Sequence, residues 1–464
     1  MRKTARHDNA SHPMRPQVLM ALAFLLAILT GAFLLTLPAA NTNGQWRDAV
    51  SAIFTATSAT CVTGLSVIDV GSELTRFGQL VLLTLIQLGG LGVTTFGTFL
   101  LVLVGRRLSV QNEFVLMDAY GVEKVKGIRA LLLWTIGFTL FFESIGILLL
   151  WTRYLRPHPS LPLPYDSWTA LYYAAFHAVN AFCNAGFSLH RNSLITFQHD
   201  PLYLGTIDFL VVAGGLGFLV LYNLVTIKFW RRNRMTRGRI TLHTRVVLIA
   251  TALLILIGCV LILALEMPYT LKDLPLADKL SCALFHGISA RTAGFNVLPM
   301  DELQEVTRFV TALFMLIGGS PGSAAGGIKT TTMVVLIMTA IAMCRNRRDT
   351  VLFSRTLPYA VVREAVVIFL LMLSLVALAY GVLLFVEAPQ QGDDASKLFF
   401  EIVSAVGTTG LSIDHTGSLS NAGRWVIIVC MYVGRLGPLS VALMIGSRDE
   451  SQRIRYPEEE IVVG

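Results

Sequence analysis

Charged residues are scarce in this chain of 464 amino acids, because Asp, Glu, Lys and Arg together make up only 14% of it. In a soluble protein about a quarter of the residues are charged. Apolar residues, in contrast, amount to 54% of the chain. This balance excludes an ordinary soluble domain and predicts an integral membrane protein in contact with membrane lipids.

Cysteine is also rare, and its distribution is uninformative for chemistry. The six cysteines are scattered, and none belongs to a CxxC motif or a Cys/His pair with metal-ligand spacing. Walker, nucleophile-elbow, HExxH and dinucleotide-binding signatures are absent as well. We therefore expect no enzyme activity and no cofactor on this chain, so that any control by nucleotides must come from another chain.

The formal charge of +8 does not indicate nucleic-acid binding. Lys and Arg stand in short clusters between long apolar stretches, which is typical of cytoplasmic loops. Segments 1–17, 105–129, 228–245, 344–363 and 447–464 hold 24 of these bases, whereas the loops on the opposite side hold 11. By the positive-inside rule, both termini are predicted to be cytoplasmic in a multi-pass protein.

The chain does contain a short glycine motif that occurs four times. The segment SATCVTGL around Gly64 returns as AFCNAGF around Gly186, ARTAGF around Gly294 and VGTTGL around Gly410. These glycines are separated by 122, 108 and 116 residues, which is close to a quarter of the chain. The spacing predicts a fourfold internal repeat.

Each repeat has the same predicted order of helix, short half-helix, glycine loop and helix. The half-helices, near 45–57, 168–181, 276–289 and 396–405, are too short to cross a bilayer, which needs about 20 helical residues. The repeats cover 18–104, 130–229, 244–343 and 360–446, between an N-terminal segment 1–17 and a tail 447–464. We expect an all-α membrane protein of about eight spans, with four pseudo-fourfold repeats around one ion pore.

The four glycine loops, which we call the filter loops, are the candidate ion site. Four such segments around one axis could present a ring of carbonyl oxygens that replaces the hydration shell of a cation. Each half-helix would also point its C-terminal, partially negative end toward the pore centre. The candidate potassium ligands come from Val62, Thr63, Gly64, Asn184, Ala185, Gly186, Thr292, Ala293, Gly294, Thr408, Thr409 and Gly410.

A second glycine motif follows 24 to 28 residues after each of these glycines. It starts at Gly89, Gly214, Gly318 and Gly434. In the first two repeats we interpret it as close helix packing. The third copy has five Gly and one Pro within residues 318–327, so that only this second helix is expected to break, into an intramembrane loop.

An arginine lies at the same predicted membrane depth as this loop, because Arg435 replaces a glycine in the fourth copy of the motif. An arginine in mid-membrane is costly, so it should face the protein interior and a partner. Together with the loop it forms a candidate gate, made of Gly318, Gly319, Ser320, Pro321, Gly322, Ser323, Gly326, Gly327, Lys329 and Arg435.

Other polar residues within the apolar stretches are assigned structural roles. For Glu143, His177 and His286 we expect hydrogen bonding and packing. Arg291 lies within the third filter loop, where a cation would repel entering ions. We expect its side chain to pair with an acid.

These ordered motifs, TATSATCVTGLSV, AFCNAGFS, ARTAGFN and VGTTGLS, resemble the Trk/Ktr/HKT superfamily of potassium transporters over almost the whole chain. The first span starts near Val18, without a preceding helix pair, which is similar to the Ktr ion-conducting subunit. The resemblance implies potassium uptake across a bacterial cytoplasmic membrane, a homodimer, and a cytosolic ring of nucleotide-binding regulatory subunits. It also implies that the intramembrane loop and Arg435 obstruct the pore, and that transport could depend on sodium.

The alternative is a secondary cation transporter with alternating access. Such transporters have inverted repeats and paired broken helices in corresponding halves. The repeats predicted here are parallel and contain a single broken second helix, which favours the pore.

Overall fold

In the computed structural model, which describes residues 16–92, 128–156, 165–226, 240–387 and 392–445, the apolar runs fold into helices. The all-α prediction is confirmed, with one two-stranded hairpin as the only sheet in these ranges. Several predicted features lie outside the described residues. They are the start of the N-terminal segment, the end of the first repeat beyond residue 92, loop 105–127, most of loop 228–245 and the tail.

The first half of the chain provides eight α-helices among the described residues. They are α1 (Pro16–Thr36), α2 (Ala49–Thr60), α3 (Val70–Glu73), α4 (Arg76–Gly90), α5 (Ile128–Tyr154), α6 (Ser167–Cys183), α7 (Pro201–Leu216) and α8 (Phe218–Thr226).

The second half begins with α9 (Leu242–Glu266), α10 (Leu276–Ser289), α11 (Glu305–Leu316) and α12 (Thr330–Cys344). The hairpin follows, with β1 (Val351–Leu352) and β2 (Arg355–Thr356). The chain continues as α13 (Tyr359–Glu387), α14 (Gly392–Gly407), α15 (Asn421–Leu436) and α16 (Pro438–Ile445).

The predicted half-helices are present as α2, α6, α10 and α14, which have 12 to 17 residues. Two of them start at an aspartate cap: Asp48 accepts from the Ser51 N–H at 3.0 Å, and Asp166 from the Thr169 N–H at 3.2 Å. Such caps satisfy backbone donors that the first helical turn leaves free. All four half-helices are buried at their C-terminal ends, so the filter loops begin inside the protein.

Three described helices are long and apolar enough to cross a membrane alone, namely Leu133–Tyr154 within α5, α9 and α13. The pairs α7 with α8 and α15 with α16 qualify when each bent pair counts as one span. The described residues therefore contain up to five spans by length and composition, against about eight predicted. Met20–Thr36 and Thr330–Cys344 are apolar helices of fewer residues.

The prediction of a single broken second helix is wrong. The helix axis turns by 93° between α7 and α8, and by 92° between α15 and α16. The breaks occur at Gly217 (φ 86°) and Gly437 (φ 85°), and the corresponding Gly92 has φ 89°. A positive φ is incompatible with a right-handed helix and is tolerated best by glycine, so the last glycine of the motif stops the helix.

Close helix packing through this motif is nevertheless present. A β-carbon added at Gly89, Gly214 or Gly434 would collide with a backbone carbonyl at the end of the half-helix in its own repeat. These carbonyls belong to Thr60, Phe182 and Val406. The missing side chains therefore allow each second helix to lie directly against the segment that supports the filter loop.

The third repeat breaks as predicted. Helix α11 ends at Leu316 and α12 begins at Thr330, with non-helical backbone between them. The ends of this segment are joined, because the Gly318 N–H donates to the Ile328 carbonyl at 2.9 Å and the Ile328 N–H to the Leu316 carbonyl at 3.0 Å. We call residues 318–327 the intramembrane loop.

Candidate ion-conducting site

The four filter loops meet at one place. A β-carbon added at Gly64 would lie 2.6 Å from the Ala185 carbonyl oxygen, and one at Gly186 would lie 2.9 Å from the Ala293 carbonyl oxygen. One added at Gly294 would lie 2.6 Å from the Thr409 carbonyl oxygen. One added at Gly410 would collide with the Thr63 carbonyl oxygen. Each glycine thus faces a carbonyl of the next repeat, in the cyclic order 1, 2, 3, 4.

The carbonyls in these four contacts belong to Thr63, Ala185, Ala293 and Thr409, and the contacts close a ring of four loops. The loops share a backbone conformation that explains it. The four glycines have φ between 71° and 100°, and the residue two positions earlier also has positive φ. Those residues are Val62 (56°), Asn184 (59°), Thr292 (75°) and Thr408 (50°). Two left-handed residues in a tripeptide turn the chain sharply away from the half-helix.

Backbone hydrogen bonds hold three of the loops in the same way. The N–H groups of Thr63, Ala185 and Thr409 each donate, at 2.8 Å, to a carbonyl five residues earlier in the half-helix. The glycine N–H groups of the first and fourth loops donate to Ser58 Oγ at 3.1 Å and Ser404 Oγ at 3.0 Å. These hydrogen bonds join the filter loops to the half-helices that precede them.

The third filter loop carries Arg291, and the expectation of an acidic partner is wrong. Its side chain is buried, and Nη2 donates to the Gly318 carbonyl at 3.5 Å. No carboxylate within the described ranges forms an ion pair with it. The non-helical backbone of the intramembrane loop has carbonyls that no helical N–H uses, and one of them takes the place of the acid.

The intramembrane loop lies against the second repeat. The Ser320 N–H donates to the Gly215 carbonyl at 3.1 Å, and the Ala324 N–H to the Gly214 carbonyl at 3.3 Å. In return, the Phe218 N–H donates to the Gly322 carbonyl at 3.1 Å. These bonds use the backbone groups that the break at Gly217 releases, so the broken helix of one repeat anchors the loop of the next.

The same loop reaches the filter and Arg435. A β-carbon at Gly326 would collide with the Thr408 hydroxyl of the fourth filter loop. Arg435 is buried and donates to two backbone carbonyls, those of Ala324 in the intramembrane loop and Gly89 in α4. Lys329 donates from Nζ to the Ala325 carbonyl at 2.8 Å. The sequence-predicted gate residues are therefore in one cluster next to the filter loops.

The polar residues assigned to packing each contact a polar neighbour. Glu143 accepts from Gln87 Nε2 at 3.0 Å, and His286 Nε2 contacts the Thr311 hydroxyl at 3.1 Å. His177 contacts the Ser188 hydroxyl at 3.1 Å, which places it beside the second filter loop. The structural roles expected for these residues agree with these bonds.

The sequence interpretation missed Glu401, which is buried in half-helix α14. Its carboxylate accepts hydrogen bonds from the hydroxyl groups of Ser412 and Thr416 and from the Ile413 N–H. A signal was present, because an acid nine residues before the filter glycine is costly in an apolar environment unless several donors surround it.

A cavity of about 420 Å³ opens on one side of the filter loops. All four filter glycines line it, together with Asp69, Glu73 and Asp414. We call it the vestibule. Partial burial, and then the nearby charge of Asp301, raise the pKa of Asp414 above its usual range. Within the described ranges, no cluster of three His, Cys, Asp or Glu side chains could hold a metal ion.

A ring of backbone carbonyls in a helical membrane protein is a feature of cation-conducting proteins. The chain belongs to the TrkH family of cation transport proteins, whose family model matches residues 10–454. This result confirms the resemblance found in the sequence motifs.

Named relatives and a solved structure extend the comparison. The chain is 37% identical to "Ktr system potassium uptake protein B" of Bacillus subtilis, over 97% of this chain and 96% of the relative. It is 33% identical to "Potassium/sodium uptake protein NtpJ" of Enterococcus hirae, over 97% and 98%. The potassium transporter TrkH of Vibrio parahaemolyticus has a similar fold, with a TM-score of 0.69, 17% identity and coverage of 96% and 87%.

Proposed function

We propose that this chain carries potassium ions across a bacterial cytoplasmic membrane through a pore lined by the four filter loops. The observation behind the proposal is the ring formed by the Thr63, Ala185, Ala293 and Thr409 carbonyls, each against a glycine of the neighbouring repeat. Carbonyl dipoles around an axis can replace water around a potassium ion. The buried C-terminal ends of four half-helices add partial negative charge at the same place.

The filter is proposed to contain few carbonyl layers, because only the single glycine is common to all four loops. Selectivity would then rest on the layer just before the glycine. Relatives named for potassium uptake and for potassium or sodium uptake support these two ions as substrates. Sodium is proposed as a second ion, either transported or required.

The intramembrane loop and Arg435 are proposed to form the gate. The loop touches the fourth filter loop at Thr408, and the Arg435 guanidinium donates to the loop at Ala324. A fixed positive charge opposes a cation passing at this level. Conduction would require the loop to leave its anchors on Gly214 and Gly215.

A separate cytosolic regulatory subunit is proposed to move that gate. The word "system" in the names of the Ktr relatives fits such a partner. The chain itself has no nucleotide-binding signature, so a nucleotide-binding ring would be a different protein. We further propose a homodimer with one pore per subunit and both termini in the cytoplasm.

The test is uptake of rubidium or potassium into proteoliposomes that contain the purified chain. We expect uptake to follow the potassium gradient and to exceed uptake of sodium in competition. Liposomes without protein provide the background. Uptake at the background level, by a protein that is folded in detergent, would contradict the proposed function.

The alternating-access transporter remains the second candidate, because second helices break at both Gly217 and Gly437. Broken helices are a feature of such transporters. The two mechanisms differ in whether they require exchange of ions across the membrane. Alternating access predicts that internal potassium accelerates uptake of labelled rubidium, whereas uptake through an open pore does not require exchange with internal potassium. Absence of such acceleration would favour the pore.

A further inference from the structure

Two half-helices carry a polar side chain at the same position relative to the filter. Glu401 in α14 and His177 in α6 both stand nine residues before their filter glycine. Both are buried, with no more than 5% of the residue exposed. Ser412 and Ser188 in turn both stand two residues after the filter glycine. In these two repeats the half-helix side chain forms a hydrogen bond with the serine, so the segment after the filter glycine is joined to the half-helix.

In the fourth repeat, Glu401 holds three donors. Oε1 accepts from the Ser412 hydroxyl and from the Ile413 N–H at 3.3 Å, and Oε2 accepts from the Thr416 hydroxyl at 2.7 Å. The carboxylate therefore fixes the chain immediately after Gly410.

In the second repeat, His177 has a defined role as an acceptor. Its Nδ1 lies 2.8 Å from the Tyr173 carbonyl, which can only accept, so Nδ1 carries the proton. The neutral ring then presents Nε2 as an acceptor to the Ser188 hydroxyl at 3.1 Å. The Ser188 oxygen in turn accepts from the His190 N–H at 3.0 Å.

The first and third repeats lack this contact at the matching position, and in the third the Ser289 hydroxyl at the end of the half-helix donates instead to the Phe295 carbonyl. Thr55 stands at the matching position of the first repeat, and its hydroxyl donates within its own half-helix, to the Ser51 carbonyl. The third repeat has Phe285 there. Since the repeats follow one another around the ring, the two loops with the half-helix-to-serine contact are opposite each other.

We propose that Glu401 and His177 are positioning residues that hold two opposite filter loops through Ser412 and Ser188, and that they thereby set the preference for potassium over sodium. The inference rests on the proposed potassium function and adds residues behind the filter to it. Glycine at the filter allows many backbone conformations, so a carbonyl ring needs external restraint to keep one diameter. Hydrogen bonds beyond the glycine supply that restraint.

The experiment measures rubidium uptake and its inhibition by sodium for Glu401→Gln, Ser412→Ala and the double variant. Gln cannot accept at both ends of its side chain, so it should lose at least one of the three bonds. We expect each single variant to lower the preference for potassium about tenfold, which is of the order of one lost hydrogen bond. The double variant should lose less than the sum of the two single changes, because Glu401, Ser412 and Thr416 belong to one hydrogen-bond network.

Glu266→Gln is the matched control. Glu266 is a buried acid that accepts from the Thr270 hydroxyl at 2.9 Å and from the Gln304 N–H at 3.0 Å, without contact to a filter loop. It should change thermal stability and leave the ion preference unaltered. Ser188→Ala tests the second repeat in the same assay and should lower the preference as Ser412→Ala does.

The outcomes separate the two proposals. If the wild-type protein takes up rubidium and Ser412→Ala, Ser188→Ala and Glu401→Gln all keep its preference, the positioning role is overturned and the proposed function stands. If the wild-type protein shows no selective uptake, both fail. Should Glu401→Gln fail to fold, the two serine variants decide, because each removes one hydroxyl. A loss of preference equal in Glu266→Gln and Glu401→Gln would also overturn the positioning role.

Discussion

Three β-branched residues adopt the left-handed backbone conformation in the filter loops. They are Val62, Thr292 and Thr408, and only Asn184 in the second loop belongs to a residue type that favours this region. Such backbone costs on the order of 1–3 kcal/mol per residue and persists where the surroundings determine it. Here the surroundings are the half-helix ends and the adjacent loops, so the filter geometry is a property of the assembled ring.

Replacing a filter glycine should lower the preference for potassium over sodium. In Gly294→Ser, the new β-carbon would lie 2.6 Å from the Thr409 carbonyl oxygen, on a residue with φ 77°. We expect potassium over sodium preference to fall at least about tenfold, since a left-handed residue with a side chain costs about 1–2 kcal/mol. Competition uptake in proteoliposomes measures this preference.

Gly205→Ser is the control for this substitution. Gly205 lies in α7 with no atom within 4 Å of an added β-carbon and without a positive φ. It should retain the wild-type preference. If Gly294→Ser retains it too, the third loop does not belong to the filter.

Asp414 should make uptake depend on pH. Burial and the charge of Asp301 raise its pKa, so the carboxylate is present above that raised pKa and is lost as pH falls through it. A negative charge in the vestibule concentrates cations. The KM for potassium should therefore rise on acidification, by about twofold to fivefold, because one charge in water contributes up to about 1 kcal/mol.

Two variants test the assignment to Asp414. Asp414→Asn should have the raised KM at all pH values and lose this part of the profile. Asp301→Asn removes the repulsion that helps to raise the pKa, so its transition should move to lower pH. An unchanged profile in Asp414→Asn would assign the effect to another group of the vestibule.

At the residue scale, the sequence predicted the glycines and Arg435 but not their partners. Gly64 and its equivalents were recognisable because a repeated glycine marks a repeated backbone requirement. The bond from Arg291 to the Gly318 carbonyl was not, because it depends on the path of a loop from another part of the repeat. Glu401 was missed for the same reason: its donors come from the segment after the filter.

At the element scale, the half-helices were predictable and the helix breaks were not. A half-helix is defined by its length between polar segments, which sequence shows directly. The motif GGLG at 214–217 can pack as a continuous helix or stop at its last glycine. The choice follows from the neighbours, since the intramembrane loop takes up the free backbone groups of Gly214, Gly215 and Phe218.

This mutual anchoring predicts the effect of shortening the intramembrane loop. Deletion of residues 323–326 removes the Ala324 and Ala325 carbonyls to which Arg435 and Lys329 donate, and the Gly326 contact with Thr408. If the loop obstructs the pore, the deletion should raise potassium flux severalfold and weaken its dependence on a regulatory subunit. Rubidium uptake with and without that subunit measures both effects.

A milder variant serves as a control in case the deletion variant misfolds. Ser320→Ala removes only the hydroxyl bonds to the Gly215 and Leu216 carbonyls. It should shift flux in the same direction by a smaller amount, and size-exclusion chromatography would check that both variants stay folded. Unchanged flux in both folded variants would place the gate elsewhere.

At the scale of the whole molecule, the connection between α12 and α13 belongs to the face that the positive-inside rule predicts to be cytoplasmic. The hairpin there turns at Phe353 and Ser354, which have φ 47° and 61°. The Arg245 guanidinium lies 5.2 Å from the centre of the Phe353 ring, which links the hairpin to the start of α9. Arg345, Arg347 and Arg348 are exposed beside it. This basic surface is suited to an acidic partner.

We therefore expect electrostatic attraction to hold a regulatory ring on this basic surface. We expect a co-expressed cytosolic nucleotide-binding subunit to copurify with the wild-type chain in mild detergent, and to be lost when Arg347→Glu and Arg348→Glu are combined. The interaction should also weaken with salt, because exposed charges are screened at high ionic strength. Affinity purification at low and high salt measures this directly.

The control makes the same change of charge on the opposite side of the protein. Arg156 and Lys272 are exposed in connections that the predicted topology places outside, so Arg156→Glu with Lys272→Glu should leave copurification intact. Equal loss in both double variants would indicate a general effect of charge or folding. Retention of the subunit by the Arg347 and Arg348 variant would move the docking surface to the other cytoplasmic segments, and no copurification with wild type at low salt would contradict the proposed regulatory ring.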